Sequence, residues 1–299
     1  CGILAISLIM SSATNCGIIA VSLIFPSATY CRITPANCII TSATNCRTIR
    51  PRPTTISIIY IFNFIIVTTS DKRILTTHVG SLPRPADVAT LLVAKEQREP
   101  YDPATFDRTI ADAIAAAVQR QVAIGIDVVS DGEMSKIGYA TYIQDRLSGF
   151  GGHTDRQPAR DLRDYPDLRK KMAAIMGPQS FRRASCIGPV ALVDRAPLQR
   201  DLANFRAALA GAGATEAFMN AASPGLVTAF QPNQFYPTHE AYLADLIEAM
   251  RPEYEAIIAA GFDLQLDAPD LAMAAHTGFQ NLSEAEFLKR AEQNVEALN

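Results

Sequence analysis

The sequence predicts an α/β fold of parallel strands joined by helices, and within that class a (β/α)8 barrel. Three observations lead there. Strand and helix patterns alternate from Lys72 onward, as parallel βαβ units require. The chain writes one phrase twice, helix, glycine, apolar residue, Asp, strand and terminal acid, as "GIDVVSDGE" and "GFDLQLDAP". It contains no GxGxxG motif and no P-loop, so a doubly wound nucleotide-binding sheet lacks its signature and the barrel takes precedence.

Composition sets the bounds. With 299 residues, 48% of them hydrophobic, the chain can bury a substantial core as one large domain or two ordinary ones. A disulfide-stapled miniature is excluded on size. Residues 1–70 hold four arginines and no Asp, Glu or Lys. Setting that +4 against the chain's −3 leaves about −7 on residues 71–299. An acidic body without a basic stripe argues against nucleic acid and for a small-molecule partner. Five of the six cysteines also fall in the first segment. Cys186 alone remains for the rest, as in a protein of the reducing cytoplasm.

The first segment does not read as a domain. "CGILAISLIMSSATN", "CGIIAVSLIFPSATY" and "CRITPANCIITSATN" place Cys1, Cys16, Cys31 and Cys46 at a strict period of fifteen. That period is shorter than the usual solenoid units and carries no caps or strand punctuation. Three readings compete: a targeting or membrane segment, a metal-binding Cys array, and translated repetitive DNA joined by an error of gene prediction. The last is preferred. The apolar run Ile56 to Val67 falls short of the ~18 to 20 residues that span a bilayer, and the cysteines are too far apart and too free of His for zinc.

Ordered structure begins at Asp71, so residues 71–299 form the predicted barrel domain. "KRILTTHVGSLPRP" is a strand stopped by Gly80 and Pro83. Phe106, Ile110, Ala113, Ile114, Ala117 and Val118 recur at helical spacing, and Gly125 closes that helix. The next strand delivers Asp131 and Glu133 at its end. "ASCIGPVAL" and "AFMNAASPG" read as further strands separated by a helix over Leu198 to Leu209. Leu243, Leu246, Ile247, Met250, Tyr254, Ile257 and Ile258 line another helix, with Pro252 where it would kink. In "GFDLQLDAP" alternation puts Leu264 and Leu266 on one face and Gln265 and Asp267 on the other. A buried carboxylate without a partner costs several kcal/mol, so Asp267 is placed at a wet strand end, the mouth of the barrel. Glu133 ends its own strand likewise, and the two acids are read as converging on one cationic group.

"TTHVGSLPRP", "GIDVVSDGEMSK", "FMNAASPG", "EYEAIIAAGFDLQLDAPDLA" and the closing "NVEALN" occur in the order of the C-terminal catalytic barrel of cobalamin-independent methionine synthase. Residues 72–299 resemble that family, in its stand-alone single-barrel branch, within the superfamily of uroporphyrinogen decarboxylase. The resemblance implies a TIM (β/α)8 barrel and a zinc enzyme that passes a methyl group from 5-methyltetrahydropteroylglutamate to a thiol such as homocysteine. It assigns substrate binding to Gly80, Ser81, Glu133 and Asp267. The family's zinc ligands, a His-x-Cys pair, a Glu and a later Cys, have no counterpart, since no His-x-Cys occurs in this sequence. The metal ligands and last strands are therefore expected to be missing, leaving a C-terminally incomplete barrel. Ala268 also replaces an acid usual in the family. A truncated, inactive fragment and a thiol alkyl transferase of the coenzyme M type remain the alternatives.

Other candidates have plainer readings. His78 is either a substrate contact or a hydrogen-bonded structural histidine. His153, His239 and His276 are read as solvated, and Cys186 as a small apolar strand residue. Ser223, before Pro224, is either a mouth residue or turn chemistry.

Overall fold

A computed structural model describes residues 7–10, 73–154, 158–176 and 184–299. Apart from Ser7–Met10, the cysteine repeat and the apolar run after it lie outside the described residues. The elements run β1 (Ser7–Met10), α1 (Ala86–Gln97), α2 (Pro103–Ala123), β2 (Val128–Val129), α3 (Tyr139–Gln144), β3 (Phe150–Gly151), α4 (Arg160–Asp164) and α5 (Pro166–Met176). There follow β4 (Ser185–Cys186), α6 (Ala196–Leu209), β5 (Glu216–Ala222), α7 (Pro224–Phe230), α8 (His239–Ala259), β6 (Asp263–Asp267) and α9 (Glu284–Glu296). Two short 3-10 turns, Pro269–Leu271 and Met273–His276, lie between β6 and α9.

The main sheet has the order β1-β6-β5-β2. β2, β5 and β6 are parallel, each reached through helices. Thr77 adds an isolated parallel bridge to Val128, marking where the "RILTTH" segment joins. In the β5–β6 register Met219 lies beside Leu264 and Ala221 beside Leu266, which makes one apolar row. That row packs under Ile110, Ile114 and Val118 of α2, Leu202 and Phe205 of α6, and Ile257 of α8 in one core cluster. On the opposite face Asn220 lies beside Gln265 and Ala222 beside Asp267. The helices thus cover one face of the sheet and leave polar groups on the other. The pattern follows from the two-residue period of strands.

Helix boundaries follow local chemistry. The Asp102 carboxylate caps α2 by accepting Thr105 N–H at 2.9 Å, with Pro103 at the first helical position. Gly125, at φ 85°, supplies the left-handed turn beyond its end. Thr238 caps α8, which carries Pro252 inside its span. Ser283 and Glu286 form a capping box on α9.

The structure departs from the sequence reading in two places. The "ASCIGPVAL" strand does not join the parallel sheet: Ser185–Cys186 pairs antiparallel with β3 in a separate two-stranded sheet. β2 is two residues long because Gln121 takes both backbone groups of Ser130. Its amide donates to Ser130 O at 2.8 Å and its carbonyl accepts Ser130 N–H at 3.0 Å, which ends the ladder. Ser7–Met10 pairs antiparallel with β6, setting Ser7 opposite Asp267.

Candidate functional site

Leaving β2, the chain makes a tight turn over Asp131–Lys136. Gly132 and Glu133 both lie in the left-handed region, at φ 67° and 55°. For glutamate that conformation is strained, and strain of this kind persists only where surrounding contacts impose it. The contacts are visible. Asp131 Oδ1 accepts Glu133 N–H at 2.9 Å, and Asp131 Oδ2 pairs with Lys136 Nζ at 3.3 Å. Arg84 donates to Glu133 O at 3.1 Å and also to Lys136 O. Leu82 N–H donates to Gly132 O at 3.1 Å, which docks the Gly80–Arg84 loop on the turn.

The Glu133 carboxylate accepts a hydrogen bond from Tyr139 Oη at 3.1 Å. Burial pushes Glu133 above the usual carboxylate range, against the pull of Lys136. Asp267, at the end of β6, is pushed up to about 6, first by burial and then by the charges of Glu133 and Asp270. The structure therefore brings Glu133 and Asp267 within electrostatic reach. Among the described residues Asp267 has no salt bridge to a cation.

Behind Asp267 lies a second polar knot. Asp270 Oδ1 accepts from Ser223 Oγ at 2.7 Å, and Oδ2 accepts from Asn294 Nδ2 at 2.9 Å. Asn294 Oδ1 in turn faces His239 Nε2 at 3.2 Å. The knot ties α9 and the start of α8 to the loop after β6. It demands glycine at position 225, where a Cβ would stand 2.0 Å from Asp270 Oδ2.

The predicted site residues are distributed as follows. Glu133 and Asp267 lie near enough for the charge of Glu133 to act on Asp267. Gly80, at φ 89°, and the exposed Ser81 lie immediately before Leu82, on the loop that docks against the Glu133 turn. His78 Nε2 is buried without a hydrogen-bond partner among the described protein atoms. Ser223 is the N-cap of α7, its hydroxyl accepting Leu226 N–H at 3.0 Å, so turn chemistry accounts for it. His239 is half-buried rather than solvated, and burial lowers its pKa to about 4.

Sequence reasoning did not single out Lys136, Tyr139, Asp270 or Asn294. Lys136 is 2% exposed. Burial would lower its pKa, yet Asp131, Asp201, Glu133 and Glu253 raise it above the ordinary lysine value. The available signal for Lys136 is its place five residues after Asp131 in "DGEMSKIGY", within reach of that acid across a tight turn; Tyr139, Asp270 and Asn294 carry no comparable local signal.

Zinc is the metal that the family resemblance implies. Among the described residues no three of His, Cys, Asp and Glu cluster closely enough to hold a metal ion. Cys186, the one cysteine among them, is buried, donates to Gly188 O, and has its thiol pushed up by burial. These donors do not fit a zinc centre.

The fold and the site define an α/β protein that gathers carboxylates at the C-terminal ends of parallel strands. Residues 74–159 match the family described as the catalytic domain of cobalamin-independent synthase. This span holds Gly80, Ser81 and Glu133 but not Asp267. A methionine synthase of Sulfolobus acidocaldarius is 23% identical over 203 residues, covering 68% of this chain and 52% of the relative. A 5-methyltetrahydropteroyltriglutamate–homocysteine methyltransferase of Thermosynechococcus vestitus is 35% identical over 75 residues, 25% of this chain and 10% of that one. Among solved structures, a B12-independent methionine synthase from a Shewanella species, in complex with selenomethionine, aligns at 20% identity and TM-score 0.48 over 72% of this chain and 57% of that one. A putative vitamin-B12-independent methionine synthase from Listeria monocytogenes aligns at 17% identity and TM-score 0.43, over 64% of this chain and 51% of that one. Over residues 74–159 the chain is thus similar to the catalytic domain of cobalamin-independent synthase. It spans about half the length of the Sulfolobus relative.

Proposed function

We propose that this chain recognises an amino-acid thiol of the homocysteine type, and that it does so as part of a methyl transfer from a methylated pterin to that thiol. The single observation that carries the reading is the pairing of Glu133 with Asp267. Two carboxylates share one end of the sheet, both are held above their ordinary pKa, and Asp267 is left without a cationic side chain among the described residues. An ammonium group arriving there gains two counter-charges and relieves their mutual repulsion. Gly80 and Ser81 lie on the loop docked beside Glu133, where backbone and hydroxyl groups can meet the ligand's carboxylate.

The relatives' names supply homocysteine and the pterin. In our reading the parallel strands belong to a (β/α)8 barrel, and the acids occupy the strand ends where barrel enzymes place their sites. The acid pair also separates this reading from a coenzyme M type of substrate. A mercaptosulfonate carries no cation, so it would meet only repulsion at Glu133 and Asp267.

Calorimetric titration of the chain tests the proposal with homocysteine, with mercaptobutanoate, which lacks the amino group, and with mercaptoethanesulfonate. The expected result is binding of homocysteine, with affinity reduced roughly tenfold to a hundredfold when the amino group is absent. Equal binding of homocysteine and mercaptobutanoate would remove the ammonium site. Preference for the sulfonate would favour the coenzyme M alternative.

A further inference from the structure

The backbone of Glu133 is fixed by two hydrogen bonds and a left-handed φ, and its side chain by a separate contact. Asp131 Oδ1 holds the amide, Arg84 holds the carbonyl, and φ is locked at 55°. The carboxylate takes its direction from Tyr139, the first residue of α3, which donates to Oε1 at 3.1 Å. We propose that Tyr139 is a positioning residue of the ammonium site: its hydroxyl holds Glu133 Oε1 and leaves Oε2 for the ligand's cation. This inference rests on the amino-acid thiol reading for the identity of the ligand. The hydrogen bond on which it turns does not depend on that reading.

Charge and burial around the pair support the role. Glu133 is faced by Arg84 from the loop before α1, by Asp131 and Lys136 of its own turn, by Tyr139 of α3, and by Asp267 of β6. Burial and the two aspartates work against its ionisation, while Lys136, Arg84 and the Tyr139 hydroxyl work for it. Tyr139 remains a neutral donor throughout, because burial and the acids Glu133, Asp267 and Asp131 push its own ionisation far above the ordinary range. A phenol so placed can give its proton only as a hydrogen bond. It therefore orients the carboxylate and favours its charged form without adding a charge that would repel the ligand.

Tyr139→Phe keeps the ring and removes the bond, so two readouts decide. The first needs no ligand: carbon-NMR titration of the Glu133 carboxyl, assigned by its loss in Glu133→Gln. In Tyr139→Phe the Glu133 midpoint should move upward by about half a pH unit or more, because the lost bond favoured the carboxylate. The second is homocysteine affinity, which should fall about threefold to tenfold near neutral pH, with its acid limb moved upward as well. The thermal midpoint should change little. An unmoved Glu133 titration overturns the proposal, and so does unchanged homocysteine affinity with an unmoved acid limb. If the parent chain does not bind homocysteine while the Glu133 titration still moves, the ligand assignment falls and the positioning of Glu133 by Tyr139 stands.

Discussion

Asp267→Asn should strengthen the fold and weaken the site at once. The carboxyl sits near pH 6 in the folded chain, against 3.8 for the free group. A difference of about two units corresponds to roughly 3 kcal/mol at 1.36 kcal/mol per unit, reduced to about 1 to 3 kcal/mol because the group is partly open to solvent. The folded value lies above the unfolded one, so the carboxyl favours the folded chain in its protonated form. That contribution is complete below about pH 4 and is lost as pH rises through 6. At pH 7.5 the ionised Asp267 therefore opposes folding, and the neutral, nearly isosteric Asn does not. A gain of 1 to 3 kcal/mol should raise the thermal midpoint by about 2 to 10 °C for a chain of this size. At pH 4.5 the gain should largely vanish. In calorimetry, homocysteine affinity should fall roughly tenfold to a hundredfold, the loss of one charge-assisted hydrogen bond. A lower midpoint for Asp267→Asn at pH 7.5 would show that the carboxylate is satisfied within the fold. Unchanged affinity would show that it does not face the ligand.

Lys136→Met should destabilise the chain by about 3 to 5 kcal/mol in denaturant titration, because it leaves Asp131 buried without its counter-charge; a loss below 1 kcal/mol would contradict the pairing. Gly225→Ala should cost about 1 to 3 kcal/mol, since the new methyl meets Asp270 Oδ2 and Asn294 Nδ2, and amide exchange should rise around Ser223; a neutral effect in thermal unfolding would refute the packing of that knot. A chain beginning at Asp71 should unfold within a few degrees of the whole chain, because residues 1–70 give the described fold one four-residue strand; a markedly lower midpoint would make that strand a necessary part of the sheet.

Much of the scaffold was legible because its signals are local and periodic. The apolar stripes of α2, α6 and α8 and the alternation in β6 need no knowledge of neighbours, and the structure places each where the spacing does. α1 went unread, as its buried positions, Val88, Leu92 and Glu96, offer a narrow stripe that includes a charge. The direction in which Ser185–Cys186 pairs, and the intervention of Gln121 beside β2, are decided by residues distant in the chain. The same holds at the site. Glu133 and Asp267 stand out in the sequence as acids that follow strands; in the structure Asp267 ends β6, whereas Glu133 lies in the turn beyond β2, close enough for its charge to act on Asp267. Tyr139 and Lys136 acquire meaning only through the partners that the turn folds against, and Asp270 through Ser223 and Asn294.

Lys136 also makes the molecule its own gauge of motion. An amine-directed acylating reagent needs a neutral, accessible amine, and the folded chain offers neither at a lysine 2% exposed with its pKa held high. Lys170, with 81% of its side chain in solvent, reacts from the folded state. Lys136 can be modified only during those excursions in which its turn lifts away from the surrounding helices. The ratio of the two labelling rates therefore counts the openings of the acid site, and a ligand that bridges Glu133 to Asp267 should slow the first clock while leaving the second running.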